Sequence, residues 1–261
     1  MNLDLTGKRA LVCGSTQGIG KAAAIELALL GAQITLLARN EERLKTVLND
    51  IPARGDVRHD YLVADFSNPD LVKSVVECYV NTNRVEILVN NTGGPPAGAA
   101  SDAKLDEYLS AFNIHLICNQ ILVQAVMPCM KQAGYGRIIN VISTSVKTPL
   151  KGLGVSNTIR GAVASWAKTI AAELGPFGIT VNNVLPGYTL TSRFESLRSS
   201  KSEKEEKSEA EIEKEMVSDI PAGRIAEASE IGAAIAFLAS PAASYINGIN
   251  LPVDGGKTPC L

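Results

Sequence analysis

Residues 11–20, with the sequence LVCGSTQGIG, lie between a predicted strand and a predicted helix. The apolar run at 9–12 predicts a buried strand, and the Ala- and Leu-rich stretch 21–30 predicts a helix. Three glycines separate these two elements: Gly14, Gly18 and Gly20. Glycine lets the backbone turn tightly and lets a ligand approach it without meeting a Cβ atom. Because the start of a helix also attracts anions, the stretch predicts a site for the pyrophosphate of a dinucleotide.

Length and composition indicate a soluble α/β protein with one core. The chain has 261 residues, 46% of them hydrophobic and 20% charged, which is enough for a single domain spanning 1–261. A net charge of −2 argues against binding to nucleic acid or to an anionic membrane surface. No apolar run approaches the ~18 residues of a membrane span, and residues 1–8 do not resemble a signal peptide.

The cysteine and histidine content limits which disulfides and metal sites we expect. The five cysteines are odd in number, scattered and never in a CxxC pair, which favours reduced thiols in the cytoplasm. Only two histidines are present and no carboxylates cluster with them, so we expect no dedicated metal site.

Strand and helix patterns alternate along the chain. The predicted strands are 9–12, 33–38, a segment within 56–64, 86–90, 137–142 and 179–185. The predicted helices are 21–30, 41–50, 69–82, 105–131, 154–174 and 221–239, the last with a start signal at 229–230. This alternation predicts an α/β fold with a doubly wound parallel sheet and helices on both faces.

The segment 193–219 differs from the rest in composition, because it is dense in Lys and Glu and poor in apolar residues. One interpretation is a solvated helix with i,i+4 ion pairs, or a partly disordered surface insertion. The other is a mobile lid, because the segment follows Pro186 and Gly187 at the carboxyl end of a strand, where ligands of open α/β sheets bind. We favour the lid.

Five motifs in order give the chain its resemblance to a known family. They are the glycine turn at 14–20, Asp65 after the third strand, Asn90-Asn91-Thr92-Gly93, Pro186-Gly187, and the C-terminal pair 247–248 and 253–256. Over nearly its whole length the chain resembles the short-chain dehydrogenase/reductase family, with its β-ketoacyl-ACP reductase-like branch closest. The resemblance implies a Rossmann-type fold, an NAD(P)(H) cofactor and a homotetramer or homodimer built through the two long helices.

The resemblance also implies cofactor contacts. Those to the pyrophosphate and nicotinamide ribose fall on Gly14, Ser15, Gly18, Ile19 and Gly20. Those to the adenine and its ribose fall on Asp65, Phe66, Asn91 and Gly93. The chain is expected to pass the nicotinamide at Pro186 and Gly187.

The end of the second strand bears on the choice between NAD and NADP. A carboxylate there accepts from the ribose 2′-OH, but this chain has Ala38 followed by Arg39. A guanidinium suits a 2′-phosphate, although Gln17 stands where many NADP-dependent members place a basic residue, and Arg39 also fits as a solvated cation. We expect NADP(H), with NAD(H) as the alternative.

The catalytic positions depart from the family pattern of Asn, Ser, Tyr and Lys. Ser143 follows the fifth strand, as the pattern requires. The Tyr position, thirteen residues on, is Ser156, and the Lys position four further is Arg160. The Asn position falls on His115, with Asn113 two residues away. The YxxxK pair has thus become SxxxR.

These changes alter the expected chemistry. A carbonyl reductase places a proton on oxygen, and the family uses a phenol, with a reference pKa of about 10, lowered by an ammonium. Serine is far less acidic, and Arg160 stays protonated but can bind the nicotinamide ribose through its fork of donors. Losing a positioned acid costs ~10²–10⁴ in rate, so we expect ordinary ketoreductase activity to be weak unless another group substitutes.

Three residues are candidates for that substitution. His115, with a reference pKa near 6.5, suits proton donation at neutral pH, although a buried histidine bonded within an apolar helix fits as well. Tyr188 restores a phenol beside the nicotinamide position or is an ordinary half-exposed aromatic. Lys147 binds an anionic substrate or is simply solvated.

The preferred function is an NAD(P)-dependent oxidoreductase of a small carbonyl or alcohol with an atypical catalytic set. The alternative is a weak or inactive NAD(P)-binding sensor or partner protein, and a lyase or epimerase using bound cofactor is a more remote one. The small-residue face at 162–172, with Trp166, fits either a subunit contact or the core.

Overall fold

One sheet of seven parallel strands organises the computed structural model, which describes residues 1–55 and 57–260. The strands are β1 Arg9–Cys13, β2 Gln33–Ala38, β3 Asp60–Val63, β4 Ile87–Asn90, β5 Gly136–Val141, β6 Ile179–Pro186 and β7 Asn250–Val253. Their order across the sheet is β3-β2-β1-β4-β5-β6-β7. The strand order reverses between β1 and β4, and ligands of such sheets bind in the crevice at that point.

Nine α-helices are found among the described residues and surround this sheet. They are α1 Gly18–Leu29, α2 Glu41–Asp50, α3 Pro69–Val80, α4 Leu105–Phe112, α5 Cys118–Ala133, α6 Gly154–Leu174, α7 Ser192–Glu205, α8 Glu209–Ser218 and α9 Ala228–Ala239. Helices α1 and α9 pack on one face of the sheet, while α3, α5 and α6 pack on the other. The predicted α/β fold, a Rossmann-type doubly wound parallel sheet, is therefore confirmed.

The two cores explain why the strands are apolar throughout. Along β1, Ala10 and Val12 point into the core under α1 and α9, whereas Leu11 and Cys13 point into the core under α3 and α5. Alternating residues of a strand face opposite sides, so a strand covered on both sides buries all of them. Full burial of one large aliphatic side chain contributes about 1.5–3 kcal/mol.

Some predicted boundaries of helices and strands match the structure, and others differ from it. The predicted elements 33–38, 41–50 and 154–174 match β2, α2 and α6 residue for residue. Within the predicted range 56–64 the strand is confined to β3, and position 56 lies outside the described residues.

Two predictions near the C-terminus need correction. The helix predicted over 221–239 begins only at Ala228, because Gly223 takes a left-handed φ of 69° and Glu227 closes a capping box with Glu230. Strand β7 was missed since Pro252 interrupts it. Proline removes a ladder donor but is tolerated here because β7 is at the edge of the sheet.

The helical stretch Leu105–Ala133 runs without a break through α4, a π-helical turn at Asn113–Ile117, and α5. By length and composition it is the one helix among the described residues that passes the test for a membrane span. Its inner face, including Leu122, Val126 and Met130, is buried against the sheet. The packing of this face accounts for its apolar character.

In the structure the segment 193–219 falls mainly in two helices, α7 and α8. Helix α7 ends at Glu206, which takes a left-handed φ of 52°, and α8 turns back along it. The ion pairs join the two helices: Arg198 lies 2.8 Å from Glu209 and also pairs with Glu213. Phe194, Ile212, Met216 and Ile225 form a small buried cluster beneath them. The segment is therefore a helical hairpin with its own apolar underside.

Candidate active site

A cavity of about 280 Å³ lies at the carboxyl edge of the sheet. Its walls come from the loops after β1, β4, β5 and β6, from α6 and from α7. Parallel strands end at the same edge, so chain segments far apart in sequence meet there. The predicted site residues that line it are Gly14, Gly18, Ile19, Asn91, Gly93, Ser143, Ser156, Arg160, Pro186 and Gly187.

The glycine turn is built so that side chains are excluded. Gly14 has a left-handed φ of 57°, and a Cβ there would come within 2.5 Å of the Asn91 carbonyl oxygen. Gly18 has a φ of 54°. A Cβ on Gly20 would overlap the carbonyl oxygen of Gly14, so this glycine lets α1 pack against the turn. Asn91 Nδ2 donates to that same oxygen at 3.2 Å.

The start of α1 is prepared for an anion. Its N-cap residue, Gln17, makes no side-chain capping bond, and the first turn carries no acidic residue. The Gln17 amide instead donates to Ser192 Oγ at 2.9 Å, across to the first turn of α7. Uncapped N–H groups at a helix start, facing a cavity whose turn excludes Cβ atoms, fit the pyrophosphate of a dinucleotide.

Two residues predicted to touch the cofactor have structural roles for their side chains instead. Ser15 is fully buried, and its Oγ accepts a hydrogen bond from the Leu37 N–H at 3.1 Å, so its hydroxyl joins β1 to β2. Phe66 is buried in the core under α3 and α5, and its ring is not placed to flank an adenine. The sequence motif places both residues at the site, but packing turns their side chains inward.

Arg39 and Asp65 lie next to each other outside the cavity. Arg39 follows β2, is largely exposed, and its Nη1 is 3.9 Å from Asp65 Oδ2. The Ser67 N–H donates to the Asp65 carboxylate at 2.9 Å and, with Arg39 nearby, lowers the pKa of that carboxyl. The two residues are thus neighbours in space, at the carboxyl ends of β2 and β3.

Ser143 follows β5 and faces the cavity. Its Oγ accepts a hydrogen bond from the Ser145 N–H at 3.1 Å. Because that bond uses an oxygen lone pair, the hydroxyl hydrogen remains available to donate into the cavity. The local turn therefore orients this serine as a donor.

Ser156 and Arg160 are one turn apart on α6 and present the same face to the cavity. Both are buried, and Arg160 Nη1 donates to the Val141 carbonyl oxygen at 3.0 Å. Burial, with a smaller effect from the charge of Arg193, lowers the pKa of Arg160 to about 10. The strand end thus holds one edge of the Arg160 guanidinium in a cavity that Ser143 and Ser156 also line.

His115 does not line this cavity. It lies in the π-helical turn, is 2% exposed, and its Nδ1 is 2.7 Å from Thr92 Oγ1. Burial, assisted by the positive charge of Arg160, lowers the pKa of His115 to about 2. The reference pKa near 6.5 that favoured His115 as a proton donor is therefore wrong for this site, where the imidazole is neutral.

The remaining candidate residues differ in whether they line the cavity. Tyr188 lines the cavity, with its ring centroid 5.9 Å from that of Phe194 and the Lys257 ammonium 5.0 Å away. Lys147 and Asn113 are both exposed and do not line it. Only Tyr188 remains within reach of a ligand in this cavity.

Sequence reasoning missed two cavity residues. Arg193, in the first turn of α7, reaches into the cavity and donates from Nη2 to the Pro95 carbonyl oxygen at 2.7 Å. Lys257, near the C-terminus, also lines the cavity, over the ring of Tyr188. The position of 193–219 after the loop that follows β6 predicts a lid, but nothing in the sequence distinguishes Arg193 from the other charged residues of that segment.

The fold and this cavity define a dinucleotide-binding α/β protein. A family model described as "Enoyl-(Acyl carrier protein) reductase" matches residues 14–258. The chain is 34% identical to a tropinone reductase homolog of Arabidopsis thaliana, over 97% of this chain and 93% of that one. It is 33% identical to the 3-oxoacyl-[acyl-carrier-protein] reductase FabG of Haemophilus influenzae, over 97% and 98%.

A solved structure of a reductase has the same fold. The L-sorbose reductase of Gluconobacter frateurii, solved with NADPH and L-sorbose, superposes with a TM-score of 0.93 at 28% identity over 100% of both chains. The chain belongs to the short-chain dehydrogenase/reductase family.

Proposed function

We propose that this protein is an NADP(H)-dependent reductase of small carbonyl compounds that works with serines and an arginine in place of the tyrosine–lysine pair. The observation that carries the proposal is one cavity joining the glycine turn, through Gly14 and Gly18, to Ser143, Ser156 and Arg160. A binding protein without turnover would need only the first half of that cavity. The relatives support the enzyme, since those named above are reductases.

The residues present fit the cofactor. The turn at Gly14 and Gly18, with Ile19, would hold the pyrophosphate, while Asn91 and Gly93 would contact the adenosine ribose side. Pro186 and Gly187 line the wall expected at the nicotinamide. When bound, NADPH supplies the hydride for reduction of a carbonyl.

Arg39 favours the phosphorylated cofactor. The residue directly after β2 is not a carboxylate that could accept from a 2′-hydroxyl but Arg39, whose exposed guanidinium provides a planar fork for a 2′-phosphate. Asp65, 3.9 Å away, holds it near the adenosine end. NADPH is therefore expected to bind more tightly than NADH, and the sorbose reductase was solved with NADPH bound.

The catalytic group of this chain acts on the carbonyl oxygen. Ser143 Oγ and the free edge of the Arg160 guanidinium donate to that oxygen and stabilise the negative charge that develops on it. The proton that completes the alcohol reaches this oxygen from solvent along the hydroxyls of Ser143 and Ser156, since each can both donate and accept. Ser156 takes the position of the family's tyrosine and Arg160 that of its lysine, so the hydroxyls pass the proton while the guanidinium stays charged.

The helical hairpin α7–α8 is proposed as a lid on the single domain. Arg193, Phe194 and Leu197 of α7 form part of the cavity wall, and Ser192 bonds Gln17 of the glycine turn. A hinge at the loop after β6 would open the cavity to solvent. Closure would exclude water around the reacting oxygen.

Self-association through the long helices is proposed for the assembled enzyme, as a homotetramer or homodimer in the cytoplasm. Leu105, Leu109 and Phe112 lie along one face of α4 and are 83%, 65% and 37% exposed. Their i, i+4, i+7 spacing makes a continuous apolar stripe. An exposed stripe of this kind is typical of a subunit contact.

Two measurements test the proposal. Isothermal titration with NADPH and NADH should show tighter binding of NADPH, and Arg39→Asp should remove that preference while Arg43→Asp, an exposed charge on α2, should not. NADPH carrying deuterium at its transferable position should then deliver the label to the product alcohol when a panel of small aldehydes and ketones is offered. Binding without any labelled product across the panel would contradict the enzyme and favour the sensor.

A further inference from the structure

Two guanidinium groups approach each other inside the cavity. A Cβ built on Gly94 would lie 3.9 Å from Arg160 Nη2 and 3.9 Å from Arg193 Nε, so both side chains reach the same point. The backbone fixes each of them, Arg160 through the Val141 carbonyl and Arg193 through the Pro95 carbonyl. The two charges are therefore held together by the fold.

No carboxylate compensates them within the part of the chain that the structure describes. None of the residues lining the cavity is Asp or Glu, and neither arginine has a carboxylate oxygen within 4.0 Å among the described residues. Arg198 and Arg224, by contrast, pair with glutamates. Lys257, the third cation of the cavity, lies 3.4 Å from Asp219 Oδ2.

Another buried arginine shows how the chain satisfies such a group when it is structural. Arg137 donates to the carbonyl oxygens of Gly136, Gly178 and Ser240 and stacks on the ring of Tyr135. Arg160 and Arg193 each use one backbone carbonyl and keep most of their five donors for the cavity. Burying two like charges is costly unless an anion joins them.

We propose that Arg193 binds a carboxylate on the substrate, so that this enzyme reduces oxo acids, with Arg160 holding the carbonyl oxygen of the same molecule. The inference rests on the proposed function and names its substrate class. In the reaction the hydride adds to the carbonyl carbon, a proton adds to its oxygen, and the carboxylate is unchanged. A planar guanidinium binds a carboxylate through two parallel hydrogen bonds, which also fixes its orientation.

Burial supports the assignment. Desolvation lowers the pKa of both arginines, and the charge of Arg193 adds to that effect on Arg160. A bound carboxylate would reverse both effects because it favours the charged guanidinium. Two other roles are open to Arg193: it ties α7 to the loop at Pro95, or it contacts a cofactor phosphate. The experiment separates these roles from substrate binding.

The test is calorimetric titration of the enzyme saturated with NADP⁺, which carries no hydride to transfer. The probes are pyruvate, acetoacetate and levulinate, each compared with its methyl ester, which keeps the ketone and removes the charge. At least one acid should bind about tenfold or more tightly than its ester, equivalent to about 1.4 kcal/mol. Arg193→Gln should abolish this preference, and Arg193→Lys should retain part of it.

The matched control is Lys204→Gln, which removes one exposed positive charge from the same helix and should leave the preference unchanged. Equal binding of every acid and its ester, or no binding of any probe, would overturn the inference. So would a preference that survives in Arg193→Gln. An equal loss of NADP⁺ affinity in that variant would assign Arg193 to the cofactor and also overturn it.

The two proposals fail in different ways. If acids are preferred but labelled NADPH never delivers deuterium to product, the anion site stands and the reductase does not. If labelled alcohol forms from esters and neutral ketones but acids gain nothing, the reductase stands and the oxo-acid assignment does not. Repeating the titration without cofactor measures the anion site independently of NADP⁺ binding.

Discussion

Replacing Gly20 with alanine perturbs the glycine turn at its tightest point. The added methyl would overlap the Gly14 carbonyl oxygen and lie 2.8 Å from Asn91 Nδ2, where real Cβ contacts keep at least 3.0 Å. Forced overlap of this kind costs about 1–3 kcal/mol. Alanine regains about 0.5–1 kcal/mol over glycine inside a helix. The free energy of unfolding of Gly20→Ala should therefore fall, by about 1 kcal/mol at the middle of these ranges and by about 2.5 kcal/mol at most.

The same shift should weaken cofactor binding. Relieving the overlap moves the Gly14 carbonyl and the Asn91 amide, and both residues line the cavity. We expect the Kd for NADPH to rise about tenfold or more, equivalent to about 1.4 kcal/mol. Urea unfolding followed by the fluorescence of the single tryptophan, Trp166, gives the stability, and calorimetric titration gives the Kd.

The matched control is Gly98→Ala, because a Cβ there meets nothing within 4 Å and the residue does not need a left-handed φ. Its stability should be unchanged or raised by up to about 1 kcal/mol, with the NADPH Kd unaltered. A Gly20→Ala variant with the wild-type unfolding midpoint and Kd would refute the reasoning about the turn.

Two further predictions concern burial and assembly. Burial holds the pKa of His115 at about 2 in the folded protein, against an ordinary value of 6.5, so the unfolded state binds an extra proton below about pH 6.5. The wild type should then lose up to about 1.4 kcal/mol of stability per pH unit on acidification. Urea unfolding at several pH values gives the slope of the unfolding free energy against pH. In His115→Gln this slope should be smaller by the equivalent of about one proton, and an unchanged slope would mean that the imidazole is not buried neutral. On α4, Leu109→Glu should break the subunit contact and give monomers in analytical ultracentrifugation. Leu71→Glu, at an exposed leucine of α3, should leave the assembly intact, and dissociation in both variants or in neither would argue against the stripe.

Much of the fold follows from local pattern. The alternation of apolar runs with amphipathic stretches predicts the parallel sheet, because strands covered on both faces are apolar throughout. Helix α6 is bounded as predicted since its pattern is long and regular. Strand β7 and the residues before α9 were misjudged because proline and glycine there act through tertiary position, which the local sequence does not contain.

The candidate site, like the fold, is predictable where the local sequence decides the structure and unpredictable where distant residues do. The glycines of the turn are predictable because a strand, a tight turn and a helix follow one another in the local sequence, and in the structure Gly14 and Gly20 leave no room for a Cβ beside neighbouring backbone. The inward rotation of Ser15 depends on the neighbouring strand, whose Leu37 N–H it accepts, and the sequence motif carries no information about that partner. The pKa of His115 likewise depends on burial and on Arg160, which is 45 positions away along the chain.

Arg193 is the clearest example of a cavity residue that the local sequence does not reveal. The sequence predicts a lid over 193–219 but does not single out Arg193 within it, whereas in the structure the turn after β6 directs the first residues of α7 into the cavity. Its meeting with Arg160 joins the end of β5, α6 and α7, and only the three-dimensional arrangement brings these together.

The most direct test of the account is the single-turnover rate of hydride transfer from saturating NADPH to a carbonyl substrate in wild type and in Arg160→Gln. The account predicts a fall of about 10²–10³, as expected when one donor to a developing oxyanion is removed. Arg160→Lys, which keeps the charge, should recover part of the rate. An Arg160→Gln enzyme that transfers hydride at the wild-type rate would contradict the claim that this guanidinium takes over the work of the missing pair.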